Sequence, residues 1–354
     1  MELRIKNQGA LDKFMTVDGF INDKTDVDYD CIFIDECSTI DNRHMLDVIK
    51  KINDAALLVL AGDIYQIESI DFGNWFYYAK DIIDRNSIVE LTNTWRTENH
   101  DLITLWDEVR FKRKYMTEIL SLNGEYSENI SEDIFNHEYE DCVVLCLNYD
   151  GRFGLNNINN YFQENNKSPK FTWHEWCYKV GDPVLFNDNK RFRQLYNNLK
   201  GRIIKIEKNE NSITFFIEVK IILTGSDVSD TNLVIVEVLD ESTIVMFTVY
   251  ENDGGTTEEE REESKICSIV PFQVAYAVSI HKAQGLEYDE VKVVIPHDNC
   301  ESISHGIFYT AITRARKRLT LYWSADTMHD IVNSFYKEEN TGKSLQIIKS
   351  ILSS

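Results

Sequence analysis

Apolar residues fall along this chain in two kinds of run. Cys31-Ile-Phe-Ile34, Ala56-Leu-Leu-Val-Leu-Ala61, Cys142-Val-Val-Leu-Cys-Leu147, Val291-Lys-Val-Val-Ile295 and Leu319-Thr-Leu-Tyr-Trp323 are short and nearly continuous. Such runs suit strands buried on both faces, as in parallel sheets. Between them, apolar residues recur at helical spacing. Leu46, Ile49 and Ile52 follow Asp41, a residue suited to cap a helix. Leu102, Leu105, Trp106 and Val109 form a second such set, and Phe308, Ala311, Ile312 and Ala315 a third. Alternating strands and helices predict an α/β fold. Residues 170–270 break that rhythm. Val180-Gly-Asp-Pro-Val-Leu-Phe186 reads as a turn into a short strand. Ile213–Val219, Val234–Val238 and Thr243–Val249 then alternate with a period of two. This predicts a small inserted β-barrel or curled sheet. Asp253-Gly-Gly255 and Glu258-Glu-Glu260 read as its exposed hairpin or loop.

The 354 residues are enough for two domains with sizeable cores. No apolar run reaches the length of a membrane span. Met1-Glu-Leu-Arg-Ile-Lys6 has no secretory apolar region. The seven cysteines include no CxxC pair, and Cys142 and Cys146 read as small core residues. A reducing, cytoplasmic setting without structural zinc follows as the expectation. The net charge of −22 changes the picture more. A polyanionic partner would need local basic patches to offset it. Three clusters qualify: Arg110, Lys112, Arg113 and Lys114; Lys190, Arg191 and Arg193; Arg314, Arg316, Lys317 and Arg318. Each reads equally well as an ordinary solvated face.

Chemistry is concentrated at a few strand ends. The first strand ends in Asp35-Glu36. At the carboxyl end of a parallel strand, Asp35 suits Mg²⁺ held through water, and Glu36 suits polarising an attacking water. The same pair also reads as surface acids. Ser279-Ile-His-Lys-Ala-Gln-Gly-Leu-Glu-Tyr-Asp289 and Phe308-Tyr-Thr-Ala-Ile-Thr-Arg-Ala-Arg316 are more specific. Together they resemble motifs V and VI of superfamily-one helicases, the UvrD/Rep and RecD-like motors that couple ATP hydrolysis to movement along single-stranded nucleic acid. Three further motifs stand upstream in the family's order. Asp35-Glu36 resembles the Walker B pair, and Gly62-Asp-Ile-Tyr-Gln66 resembles motif III. Val89-Glu-Leu-Thr-Asn-Thr-Trp95-Arg96-Thr97 resembles motif IV. Ile67-Glu-Ser-Ile70 is closer to the RecD-like form, which implies 5′→3′ movement. Asn156-Asn-Ile-Asn159 with Phe162 resembles the helix opening the second motor domain, and the β-rich stretch sits where RecD-like enzymes carry a small inserted barrel.

The resemblance implies roles. Gln66 senses the γ-phosphate, and Arg96 contacts it, bidentately where geometry allows. Trp95 either stacks on adenine or packs in the core. Ser279 and His281 lie on the nucleic-acid backbone. Gly285 lets the main chain approach the nucleotide, and Glu287 accepts from a ribose hydroxyl. Thr310 and Arg314 lie a turn apart on the helix face opposite the apolar one, and Arg314 acts as an arginine finger towards the cleft.

The phosphate-cradling string GxxxxGK[ST] does not occur in the sequence. The expected architecture is therefore α/β, with RecA-like P-loop motor domains, the first incomplete, and an inserted small all-β barrel-like domain. Its parts are a partial first motor domain (1–97), a helical connector (98–140), a second motor domain (141–169 and 271–340), the insert (170–270) and a tail (341–354). The expected function is the carboxyl-terminal part of an ATP-dependent DNA helicase or translocase using ATP and Mg²⁺. Its partner is single-stranded or partly duplex DNA, with RNA left open and no membrane. A missing amino-terminal region or a partner would supply the P-loop, and the isolated chain would be inactive. Two rival readings stand beside this: a non-catalytic nucleic-acid-binding or regulatory subunit with a degenerate helicase fold, and a DNA-repair or phage-defence component sharing its helicase half with a partner.

Overall fold

In the computed structural model, residues 15–24, 29–52, 57–67, 73–92, 94–122, 126–127, 132–188, 191–229, 231–251, 258–298, 303–336, 345–347 and 349–350 are described. The motif III continuation Glu68–Ile70, Lys190 and Asp253–Gly255 lie outside them. The chain divides into two compact units, Met1–Thr92 with Glu338–Ser354, and Asn93–Lys337.

In the first unit, strands Cys31–Ile34 and Leu57–Leu60 pair in parallel, with Cys31 opposite Leu57 and Ile34 opposite Leu60. The Asp41 carboxylate accepts from the backbone N–H groups of Arg43 and His44 at 2.7 and 3.0 Å, and so starts helix Asn42–Lys51. That helix packs through Met45 and Val48, with Ile52 beside them, onto Ile34, Cys37 and Ile40. Leu46 and Ile49, expected to face inward, are instead 50% and 51% exposed. The apolar residues form two stripes offset by one position, about 100° around the helix. The buried one is Met45, Val48 and Ile52.

The second unit contains a five-stranded parallel sheet. Its order is Ala277–Ser279, Cys142–Cys146, Tyr288–Val294, Ala315–Tyr322 and Tyr126–Ser127. Helix Leu155–Asn165 covers part of it, and its Asn159 does a strand's work. The amide Nδ2 donates to Ala277 O at 3.0 Å, and Oδ1 accepts from Ala277 N at 2.9 Å. An edge strand thus finds both main-chain partners on a helix side chain.

Glu290 and Lys292 lie in the interior strand Tyr288–Val294, 1% and 2% exposed, with their charged ends 3.6 Å apart. Ions so deeply buried need hydrogen bonds beyond each other. Glu290 accepts from Glu138 N at 2.7 Å and Tyr139 N at 3.3 Å. Lys292 donates to Ile134 O at 2.8 Å and also to Asn136 O. The pair therefore fastens the segment 134–139 to the sheet.

The inserted region is a six-stranded antiparallel sheet in the order Val234–Val238, Thr243–Tyr250, Ser212–Val219, Lys200–Lys208, Pro183–Phe186 and Phe272–Val274. Alternate residues of its long strands, including Ile213, Phe215, Ile217, Val245 and Phe247, form one core. The hairpin of Lys170–Trp173 with Trp176–Lys179 adds Trp173 and Tyr178 to that core. Among the described residues the two edge strands do not pair, so of the two forms expected, barrel or sheet, the sheet is found. The Glu258–Glu260 stretch, expected as a loop, opens helix Glu258–Ser268. Glutamate is a good helix former, and acids at the amino end with Lys265 in the last turn suit the helix dipole.

Asp182 joins the insert to the parallel sheet's surroundings. Its side chain is fully buried and accepts from Gln163 Nε2 (2.7 Å), Asn166 Nδ2 (2.8 Å), Tyr276 Oη (2.8 Å) and Lys179 N (2.9 Å). Burial, with Asp182 beside it, pushes the Tyr276 hydroxyl well above its ordinary pKa, so it stays a donor. Asp182→Ala strands these donors and is expected to lower stability by about 3 kcal/mol. Asp182→Asn, which keeps one acceptor oxygen, is expected to cost less. Urea midpoints of the two variants check this, and equal, near-native midpoints would remove Asp182 from that role.

Candidate functional site

In the first unit the Asp35-Glu36 and Gly62–Gln66 stretches meet. Ala61 N donates to Ile34 O, and Cys37 N donates to Ala61 O, both at 2.8 Å. The chain passes through Glu36 in the left-handed region, φ 53° and ψ 39°, which is uncommon for a side chain other than glycine. The turn aims the two carboxylates apart from the strand's alternation. Asp35 is exposed, and its Oδ1 accepts from Glu36 N at 2.9 Å. An exposed carboxylate at a strand end fits Mg²⁺, which binds through one or two carboxylates plus water and phosphate oxygens. Gly62 is required by packing: a Cβ there would lie 2.8 Å from the Phe76 ring and 3.1 Å from Cys37 N. Asp63 closes the following turn, accepting from Tyr65 N at 3.0 Å and Gln66 Nε2 at 3.2 Å. The Gln66 amide is thus oriented by Asp63. Burial pushes the neighbouring Cys37 thiol up to about 12, which keeps it protonated.

In the second unit three distant stretches converge. Arg96 Nε donates to Glu287 Oε1 at 2.7 Å, and Arg96 Nη1 donates to Thr313 O at 2.9 Å. Arg314 donates from Nε to Thr310 O (2.9 Å), from Nη1 to Leu286 O (3.2 Å) and from Nη2 to Thr313 Oγ1 (3.1 Å). Motif IV, V and VI residues are therefore one hydrogen-bonded cluster. Gly285 sits in its turn with φ +75°, a conformation that favours glycine.

Several expectations need correction here. Arg314 does not project from a helix. Helix His305–Ile312 ends before it, strand Ala315–Tyr322 begins after it, and the side chain is 1% exposed. Thr310 is fully buried, as are Phe308, Ala311 and Ile312 to within a per cent, so this helix has no polar face at that point. Its high apolar content, rather than a single stripe, decides the matter. Trp95 is 93% exposed, which rules out core packing and leaves its ring open for stacking. Ser279 is 6% exposed, and its Oγ accepts from Lys282 N at 3.3 Å, so its hydroxyl shapes the turn. His281 is exposed.

The basic cluster at 314–318 is not a positive patch. Arg316 pairs with Asp141 (3.0 Å) and Asp289 (2.6 Å), Lys317 with Asp289 (2.9 Å), and Arg318 with Glu138 (3.0 Å). Burial alone would raise the Asp289 carboxyl, but Lys317 and Arg316 together hold it below the ordinary carboxylate value. Arg191 donates to Thr248 O at 2.7 Å and lies over the Phe192 ring. Asp141, Asp289 and Lys200 went unassigned in the sequence, because their partners are far away along the chain.

Known proteins share this layout. A family model described as a UvrD-like helicase C-terminal domain matches residues 274–322, and one described as an AAA domain matches residues 7–124. The RecBCD enzyme subunit RecD of Buchnera aphidicola (subsp. Acyrthosiphon pisum) is 21% identical over 390 residues, covering 91% of this chain and 58% of the relative. The ATP-dependent RecD2 DNA helicase of Deinococcus radiodurans is 22% identical over 305 residues, covering 82% of this chain and 36% of the relative. The chain thus spans between about a third and three fifths of these relatives' lengths. The crystal structure of Bacteroides Pif1 bound to ssDNA superposes with a TM-score of 0.52 at 16% identity, covering 96% of this chain and 80% of that one. Pif1 helicase from Candida albicans gives 0.52 at 14% identity, covering 91% and 76%. The AAA match begins at residue 7, which argues against a chain that lacks the amino-terminal motor region. A P-loop supplied from elsewhere, and the inactivity of the isolated chain tied to it, find no support in these matches. The absence of a GxxxxGK[ST] string remains a fact of the sequence. This chain thus carries segments that match a UvrD-like helicase C-terminal domain and an AAA domain, and its fold is like that of the Pif1 helicases, of mixed α/β RecA-like architecture with an antiparallel β-sheet insertion.

Proposed function

We propose that this chain works as an ATP-dependent motor on single-stranded DNA. The observation that supports this best is the Arg96–Glu287–Thr313–Arg314 cluster, which draws motifs IV, V and VI into one hydrogen-bonded group. Its relatives' names describe an ATP-dependent DNA helicase and a RecBCD subunit, and a Pif1 neighbour was solved with ssDNA.

In this reading Arg96 is the group that meets the γ-phosphate. Its side chain is 26% exposed, and its partner Glu287 is 38% exposed, so both can turn to a ligand. A planar guanidinium suits phosphate oxygens and stabilises charge as the phosphoryl group leaves. Glu287, released from Arg96, accepts from ribose. Trp95 offers an open ring for adenine. Arg314, buried with its N–H groups on Thr310, Leu286 and Thr313, acts in this reading as a positioning residue. In the other unit, Asp35 would hold Mg²⁺, which when bound neutralises phosphate charge. Glu36 polarises the attacking water, and Gln66 senses the γ-phosphate. His281, exposed on the motif V turn, contacts the nucleic-acid backbone.

The non-catalytic reading keeps one supporting observation: Arg96 and Glu287 already satisfy each other. Two measurements separate the readings. Single-stranded DNA should stimulate ATP hydrolysis by the protein in its complete cellular form, with any partner subunit present. ATP binding without stimulated hydrolysis would favour the regulatory subunit. Arg96→Lys should cut turnover roughly a thousandfold while changing ATP affinity much less. Arg314→Lys should act first on stability, lowering the melting temperature. Should Arg314→Lys abolish turnover at unchanged stability and Arg96→Lys leave it near wild type, the two roles are reversed.

A further inference from the structure

The motif V turn is held by two cations that come from different elements. Arg314 Nη1 donates to Leu286 O at 3.2 Å, from the motif VI side. Lys200 Nζ donates to the next carbonyl, Glu287 O, at 2.8 Å. Lys200 opens strand Lys200–Lys208, so it belongs to the inserted sheet. Its ammonium also pairs with Asp141 Oδ1 at 2.5 Å and lies 4.0 Å from the centre of the Tyr288 ring. Asp141 is itself fixed by Arg316 at 3.0 Å. Lys200 is therefore anchored on two sides, and its third contact is the main chain of the residue assigned to ribose.

This placement has a mechanical meaning. Gly285, at φ +75°, gives the turn freedom that no side chain restrains. A carboxylate one or two residues after such a glycine points reliably only if its own peptide is tethered. Lys200 supplies that tether. Burial lowers the Lys200 pKa while Asp141 acts to raise it, so the contact with Asp141 favours the charged donor.

We propose that Lys200, from the β-sheet insertion, is a positioning residue that sets the Glu287 carboxylate for the ribose hydroxyls of a nucleotide. The insert thereby takes part in nucleotide selection as well as in whatever strand contacts it makes. This rests on the nucleotide reading of Glu287 given above.

The test compares binding of ATP with that of 2′,3′-dideoxyATP, by competition against a probe labelled on the γ-phosphate. Wild-type protein should prefer ATP by about tenfold, the scale of a hydrogen bond to a charged acceptor. Lys200→Met should reduce that preference to about twofold by weakening ATP alone, and Lys200→Arg should largely restore it. Lys200→Gln repeats the test with a polar side chain if the methionine destabilises the fold. Amide hydrogen exchange over residues 284–289, without nucleotide, should speed up about tenfold in Lys200→Met. A Lys200→Met protein with wild-type preference and wild-type exchange overturns the proposal, as does one that loses both nucleotides equally. If wild-type protein binds neither nucleotide, the nucleotide reading fails, and the ribose role of Lys200 fails with it. Faster exchange would then show only the tether on Glu287.

Discussion

A guanidinium cannot be buried unless protein oxygens meet its N–H groups, and at Arg314 a helix end, a turn and a helix-to-strand junction meet that requirement. With 1% of the residue exposed, its N–H groups go to Thr310 O, Leu286 O and Thr313 Oγ1. Those acceptors lie on the end of a helix, on the turn after Gly285, and on the residue joining helix to strand. Fixing them fixes what they carry. Thr313 O then faces Arg96, and Glu287 follows Leu286 into reach of the same arginine. Arg96 thus reads the position of both motifs at once. A ligand that draws Arg96 away alters contacts on two segments that Arg314 holds as one piece.

The acidic balance of the chain shapes the same region. Arg316, Lys317 and Arg318 stand in a row in the sequence, yet each meets a carboxylate: Asp141, Asp289 or Glu138. Exposed pairs of this kind contribute little to stability singly. Here Asp141 and Asp289 each serve two cations, so the strand ends at Asp141, Asp289 and Arg316 are cross-linked rather than merely decorated. The cost is that these cations are not available to attract phosphate. Affinity for nucleic acid would have to come from other groups.

Much of this was legible from the sequence, and the exceptions share a cause. Buried strands such as Cys142–Cys146 announce themselves as continuous apolar runs, and Leu102, Leu105, Trp106 and Val109 are all buried as their spacing implies. The exposed stripe of Leu46 and Ile49 misled because two apolar stripes on one helix are equally periodic, and only the packing partner selects between them. The acidic run at Glu258 suggested a loop by its charge, while its helix propensity prevailed. Arg314 was placed on the helix face because periodicity cannot tell where a helix stops when the next strand starts within two residues. Lys292, Asp182 and Lys200 were unreadable for another reason. A buried ion is defined by its partners, and these lie on segments far apart in the chain.

Those same long-range ions change how the insert should be understood. The alternating strands of 170–270 suggest a module that could be lifted out. Asp182, however, takes donors from Gln163 and Tyr276 on the motor side, and Lys200 reaches Asp141 and Glu287 there. Removing the insert would leave Tyr276 and Gln163 without their buried acceptor and Glu287 without its tether. Such losses are charged to the motor fold, where an unmet buried polar group costs about 1–3 kcal/mol. The insert is thus a separate sheet tied by side-chain hydrogen bonds to the surroundings of the parallel sheet. A force or ligand acting on its strands has a direct route, through one lysine, to the turn that carries Glu287.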